Sequence, residues 1–265
     1  MSKVSVNGIN LHYEEEGQGP PLLLISGYTT DLSAWDSIRH DLKEHFHLIL
    51  VDNRGAGRSD SPDSPYDIET MAEDIKALMV FLPIQNCYIL AHSMGTAIAQ
   101  TLAIKYPKLI KKMVLANPLI HFQPVSAAAF HFFLKMRQEG LSLVTMTEGV
   151  IPWLFSNHFI KNREEIAKVL QSVETYPYPQ SLTGQQRQFD ALLQFNSESW
   201  FRKITTHTLV IEGEEDIICP ADAKRMSREI PKSSHLLFPG QAHMEHIEKA
   251  GEFAGAVIKF FKNDN

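Results

Sequence analysis

Short, continuous apolar runs recur along the chain at 21–25, 47–51, 87–91, 113–116, 208–211 and 235–238. Runs of this length without polar alternation suit strands covered on both faces, as in a parallel sheet. Between them apolar positions return at helical spacing, which predicts helices over 33–44, 68–82, 94–106, 221–230 and 245–261. Only the amino-terminal segment alternates. There Val4-Ser5-Val6 and Ile9-Asn10-Leu11-His12-Tyr13 flank Asn7-Gly8, a two-residue hairpin signal. Strands alternating with helices predict an α/β fold: a mostly parallel sheet with helices on both faces and the antiparallel hairpin at one edge.

The alternation stops between Pro118 and Trp200, where helical patterns such as 126–138 and 163–173 occur without any strand-like run. Residues 120–200 hold 12 of the 25 aromatics, where an even spread would put about 7 or 8. An aromatic-rich helical insertion between two strands reads as a cap over an active-site mouth. The expected division is a core of 1–120 and 200–265 with a helical cap of 121–199.

Composition narrows the function classes. The 265 residues carry 25 Lys and Arg against 31 Asp and Glu, a net charge of -6, which argues against a sequence-independent hold on nucleic acid. Two cysteines, Cys87 and Cys219, are too few for a disulfide scaffold. The first residues lack the apolar stretch of a secretory signal, and no run of about 18 apolar residues predicts a membrane span. These features point to a cytoplasmic protein with no membrane association.

Candidate chemistry begins at Ala91-His92-Ser93-Met94-Gly95, which follows a buried run and opens a helical one. A serine on a sharp strand-to-helix turn needs small residues two before and two after it, where the backbone crowds. A helix N-terminus there stabilises developing negative charge. A serine hydroxyl also needs a histidine base, and the base an orienting carboxylate, in the chain order serine, acid, histidine. Asp216 follows the strand ending Ile211-Glu212-Gly213, and His243 follows the strand ending at Phe238. Both lie on loops at carboxyl ends of strands, where open α/β sheets gather ligands. Glu212, Glu214 and Glu215 compete with Asp216, and His246 competes with His243. Backbone N–H groups of Met94 and of Tyr28, in Ser26-Gly27-Tyr28-Thr29, are the candidate oxyanion donors.

Other features carry less chemistry. Asp52-Asn53-Arg54-Gly55-Ala56-Gly57-Arg58-Ser59-Asp60 contains Gly-x-Gly, but it runs into Pro62 and Pro65 instead of a helix, so no nucleotide cofactor is expected. No histidine pair has the His-Glu-x-x-His spacing, and no metal is expected. His40, His45 and His47 read as solvated residues, and His92 as a packing residue.

These residues together resemble the α/β-hydrolase family. Ser26-Gly27, the Asp52 to Asp60 loop, Ala91-His92-Ser93-Met94-Gly95, Gly213-x-x-Asp216 and Gly240-x-Ala242-His243 stand in family order. The resemblance spans almost the whole chain and is weakest through 121–195. Ser26 stands where the family frequently has histidine, and Ala91 where glycine is commoner. The Asp-Asn-Arg-Gly loop and Trp153-Leu154-Phe155 look most like the 3-oxoadipate enol-lactonase-like and carboxylesterase branch. The resemblance implies a serine hydrolase that cleaves a small-molecule ester or lactone through an acyl-enzyme. A small-molecule receptor or regulator keeping the same three residues, and a carbon–carbon bond hydrolase, are the alternatives it leaves. In the cap, Phe130, Met136, Trp153 and Phe155 are candidates for an apolar substrate wall or for packing between helices. Arg187 is a candidate for a substrate carboxylate, as an enol-lactone would require.

Overall fold

The protein is described from a computed structural model covering residues 2–263. Its eight strands are β1 (Ser2–Val6), β2 (Ile9–Glu16), β3 (Pro21–Ile25), β4 (His47–Val51), β5 (Cys87–His92), β6 (Ile110–Ala116), β7 (His207–Gly213) and β8 (Ser233–Phe238). They form one sheet in the order β1-β2-β4-β3-β5-β6-β7-β8. The β1–β2 and β2–β4 pairs are antiparallel, and every later pair is parallel. The hairpin closes through Asn7 and Gly8, both at positive φ (46° and 78°), the turn whose twist matches that of the strands it joins.

Strand burial follows from the two-residue period. Leu22, Leu24, Leu48, Leu50, Tyr88 and Leu90 feed one core. Leu23, Ile25, Ile49, Val51, Ile89 and Ala91 feed the other. Both faces therefore need helices, and the sequence supplies them. Helices α1 (Asp36–Lys43) and α11 (Ala250–Lys262) bury Ile38, Leu42, Phe253, Val257 and Phe261 against the first face. Helices α2 (Ile68–Phe81) and α3 (Met94–Lys105) cover the second.

Between β6 and β7 run five helices: α4 (Pro124–Gln138), α5 (Leu143–Leu154), α6 (Asn157–Ile160), α7 (Arg163–Thr175) and α8 (Leu182–Gln194). The segment leaves and re-enters the sheet layer at one place, because His121 pairs with Asn196 and Ser197 N–H donates to the Ile120 carbonyl at 2.8 Å. Helix α9 (Asp222–Glu229) follows β7.

One expectation fails. The helix expected over 245–261 is two: α10 (Glu245–Glu248) and α11, broken at Lys249 (φ −132°, ψ 47°). The apolar spacing runs through the break, but the two pieces bury different things. The first turns Glu245 and His246 inward, and the second packs Phe253, Val257 and Phe261 on the sheet.

Candidate active site

Strand order reverses between β3 and β5, since β4 lies beyond one and β6 beyond the other. Carboxyl ends at such a reversal form the natural crevice of an open α/β sheet. Ser26–Thr30 and Ser93 occupy it.

Ser93 follows β5 at φ 52°, ψ −122°, a conformation costly to any non-glycine residue by about 1–3 kcal/mol. Its surroundings impose it. Ser93 N–H donates to the Ala116 carbonyl at 3.0 Å, and its own carbonyl accepts from Thr96 N–H (2.8 Å) and Thr96 Oγ1 (2.6 Å). A Cβ at residue 95 would lie 2.2 Å from the Ile25 carbonyl oxygen, so only glycine lets α3 pass this close to β3.

Asp216 and His243 are brought together from separate loops. His243 Nδ1 lies 3.0 Å from Asp216 Oδ2, with the two side chains only 3% and 4% exposed. A carboxylate partner places the ring proton on Nδ1 and leaves Nε2 able to accept one. Asp216 Oδ1 accepts from the N–H groups of Ile218 (2.8 Å) and Cys219 (3.3 Å), which fixes the carboxylate plane. The competing acids are engaged elsewhere: Glu214 with Gly240 N–H, Glu215 with Asn157, and Glu212 with His235. His246 lies in α10, wholly buried against His92, Trp35 and Phe253, and burial pushes its pKa down to about 3.

Behind His243 is a layer of buried polar groups. Its main-chain carbonyl accepts from Asn117 Nδ2 (2.7 Å) and His92 Nε2 (2.8 Å). Asn117 also donates to Glu245 Oε2 (2.6 Å) and accepts from Gly213 N–H (3.1 Å). Burial holds the Glu245 carboxyl well above the usual carboxylate range and His92 well below the usual imidazole range. Asn117 joins the ends of β6 and β7 to the His243 loop. Its partners are mostly main-chain atoms, which leave no pattern in a sequence.

Ser93 and His243 share the wall of one pocket with Gly27, Tyr28, Thr29 and Thr30. No hydrogen bond joins Ser93 Oγ to the His243 ring among the described residues. Catalytic contacts of this kind often tighten only around substrate. Neither the Tyr28 nor the Met94 N–H has a protein acceptor among the described residues, and Met94 opens α3 beside Ser93.

Of the five cap residues expected at the pocket, Phe130 lines it. Trp153 meets the edge of Phe130 (6.4 Å) from the packed side, and Phe155 stacks on Phe159 (4.5 Å) in a separate cluster with Ile151 and Met244. Met136 sits on α4 away from the lining, and Arg187 pairs at the surface with Asp63 (2.9 Å) and Asp190 (3.3 Å). The wall is instead built by Leu119, Phe122, Val150, Leu154 and Leu192, with Ile218, Cys219 and Met244 from the sheet side. Val150 and Leu154 are one helical turn apart on α5, a spacing that the weight given to aromatics obscured.

The loop after β4 braces the site. Asp52 accepts from Leu32 and Arg58 N–H (both 2.9 Å), and burial pushes its pKa to about 6. Asn53 Nδ2 donates to the Ser26 carbonyl (3.0 Å), Arg54 forms a buried two-point pair with Asp74 (2.7 and 2.8 Å), and Gln188 of α8 donates to the Arg54 carbonyl (2.8 Å). Two sets of ligand-type atoms gather within 4.8 Å, His92/Glu245/His246 and Asp216/Cys219/His243. In the first, His92 Nε2 and Glu245 Oε2 are engaged while both His246 ring nitrogens are unpartnered among the described residues; in the second, Asp216 and His243 are paired with each other. The Cys219 thiol is pushed well up by burial, away from the thiolate a metal needs.

Comparison with known proteins agrees with this architecture. The profile described as alpha/beta hydrolase fold matches residues 20–250, and the chain belongs to that family. The 3-oxoadipate enol-lactonase 2 of Acinetobacter baylyi is 26% identical over 266 residues, covering 99% of this chain and 97% of that protein. Epoxide hydrolase 3 of Mus musculus is 27% identical over 233 residues, covering 80% of this chain, which spans only 62% of that protein. Among solved structures, the enol-lactonase from Burkholderia xenovorans LB400 superposes with a TM-score of 0.88 at 25% identity, covering 99% of this chain and 100% of that one. No helix among the described residues is long and apolar enough to cross a membrane.

Proposed function

We propose that the protein is a serine hydrolase acting on carboxylic esters or lactones, with Ser93 as nucleophile, His243 as base and Asp216 as the group that orients the base. The observation that carries this reading is the 3.0 Å His243–Asp216 contact, sharing one pocket with a serine on a left-handed strand-to-helix turn.

The chemistry follows from the atoms. Ser93 Oγ attacks the substrate carbonyl carbon as its proton passes to His243 Nε2. The Nδ1–H contact to Asp216 holds the ring's tautomer and stabilises the cation formed. The carbonyl π electrons move to oxygen, and the N–H groups of Met94 and Tyr28 receive that oxyanion at the α3 N-terminus. Collapse expels the alkoxide, which takes the proton from His243 and leaves an acyl-Ser93 ester. His243 then deprotonates a water that attacks this ester, and Ser93 is regenerated as the acid departs. A lactone follows the same route, its alkoxide staying tethered to the acyl group. The segment 121–199 acts as a cap over this site, with 1–120 and 200–265 as the core.

The test is hydrolysis of a panel of small esters and lactones by the wild type and Ser93→Ala. Turnover above about 1 s⁻¹ lost by several powers of ten in the variant supports the reading. Full activity in Ser93→Ala would end it.

A further inference from the structure

Polar and apolar groups are segregated in the pocket. Ser93, His243, His92, Thr29 and Thr30 are its polar side chains together with Tyr28, whereas Leu119, Phe122, Phe130, Val150, Leu154 and Leu192 form an apolar wall that Ile218, Cys219 and Met244 extend. No lysine or arginine lines it. The arginines of the surrounding loops and helices are held by protein groups, Arg54 and Arg187 by carboxylates and Arg137 by neutral oxygens alone. Arg54 is locked to Asp74, and Arg187 pairs with Asp63 and Asp190. Arg137 donates to Gln185 Oε1 (2.5 Å) and to the Gln180 carbonyl. The carboxylate paired with His243, Asp216, has the wrong sign to welcome an anion.

From this we infer, on the reading that Ser93 is the nucleophile, that the substrate is an ester or lactone whose acyl body is uncharged and apolar. Substrates bearing a carboxylate on that body are discriminated against. An alkyl or aryl acyl chain displaces water from the leucine and phenylalanine wall and gains by it. A carboxylate on the same chain must shed its hydration there and finds no lysine or arginine on the wall to pair with. The sequence feature that pointed the other way, Arg187, is spent on surface pairs.

A pair of substrates with the same number of acyl carbons isolates this term: p-nitrophenyl hexanoate against the mono-p-nitrophenyl ester of adipic acid, whose chain ends in a carboxylate. The expected kcat/KM is at least about 100-fold higher for the hexanoate, the scale at which a site rejects a group it cannot pair. Val150→Arg, folded as judged by its thermal midpoint, should move the ratio toward the adipate by at least about tenfold. Equal rates, or preference for the adipate by the wild type, overturn the inference, as does an unchanged ratio in the folded variant. An alkyl fluorophosphonate run alongside separates the two levels. Labelling of Ser93 with no preference between the esters defeats the substrate class alone, whereas no labelling and no turnover defeat the serine mechanism beneath it.

Discussion

The side-chain amide of Asn117 donates to the main-chain carbonyl of His243 at 2.7 Å. His92 Nε2 reaches the same oxygen at 2.8 Å while its ring lies 4.8 Å from the His243 ring, so the loop bearing His243 is clamped from the ends of β5 and β6. The clamp fixes where the imidazole stands, while Asp216 fixes how it is turned.

Asn117 sits at φ 47°, a left-handed conformation that asparagine tolerates better than alanine does. Asn117→Ala removes three hydrogen bonds and adds backbone strain. Asn117→Gly removes the bonds alone. Both should lower kcat by about 10- to 100-fold with little change in KM, the scale of a lost positioning contact. Alanine should be the less stable by about 1 kcal/mol. Steady-state kinetics and urea unfolding of the pair read both effects.

Asp216→Asn keeps the shape of the orienting residue but cannot stabilise the imidazolium. The expected loss in kcat is about 10³- to 10⁴-fold with an intact fold, by analogy with the Ser-His-Asp template. A loss below tenfold points to a different orienting acid.

The His246 ring nitrogens are buried and unbonded, and burial lowers the pKa to about 3 from 6.5. A histidine depressed in the folded state costs stability as pH falls, because the unfolded chain takes up a proton near 6.5 that the folded one refuses. This group alone should remove about 2 kcal/mol of unfolding free energy between pH 7 and pH 5. His246→Leu should flatten that slope and raise the thermal midpoint at pH 5. Parallel pH–stability curves for the two proteins would count against it.

Arg54 and Asp74 form a buried pair, with side chains 6% and 2% exposed. Asp74→Ala leaves the guanidinium unpaired and should cost about 3–5 kcal/mol. Arg54→Met in the same chain should recover much of that loss. Denaturant titration of the single and double variants measures both.

Much of this was legible because strands buried on both faces write uninterrupted apolar runs, and because loops at their carboxyl ends carry the chemistry. Position narrows the candidates to Ser93, to Asp216 among four neighbouring acids and to His243 or His246, and the hydrogen bonds of the competitors separate them. Asn117 leaves no comparable mark, since three of its four hydrogen-bond partners are main-chain atoms. On the pocket wall, aromatic content points to Trp153 and Phe155 as wall or packing residues alike, whereas the helical phase of α5 puts Val150 and Leu154 on the lining. The break at Lys249 left no mark in the apolar spacing, because Glu245 and His246 occupy inward positions that their polarity disguises.

Ser93 carries the central claim, and covalent labelling interrogates it most directly. Wild-type protein incubated with a fluorophosphonate should gain one adduct by intact mass, mapped by peptide analysis to Ser93 and blocked in Ser93→Ala. Asp216→Asn should label far more slowly. An adduct elsewhere, or equal labelling of Ser93→Ala, would contradict the account.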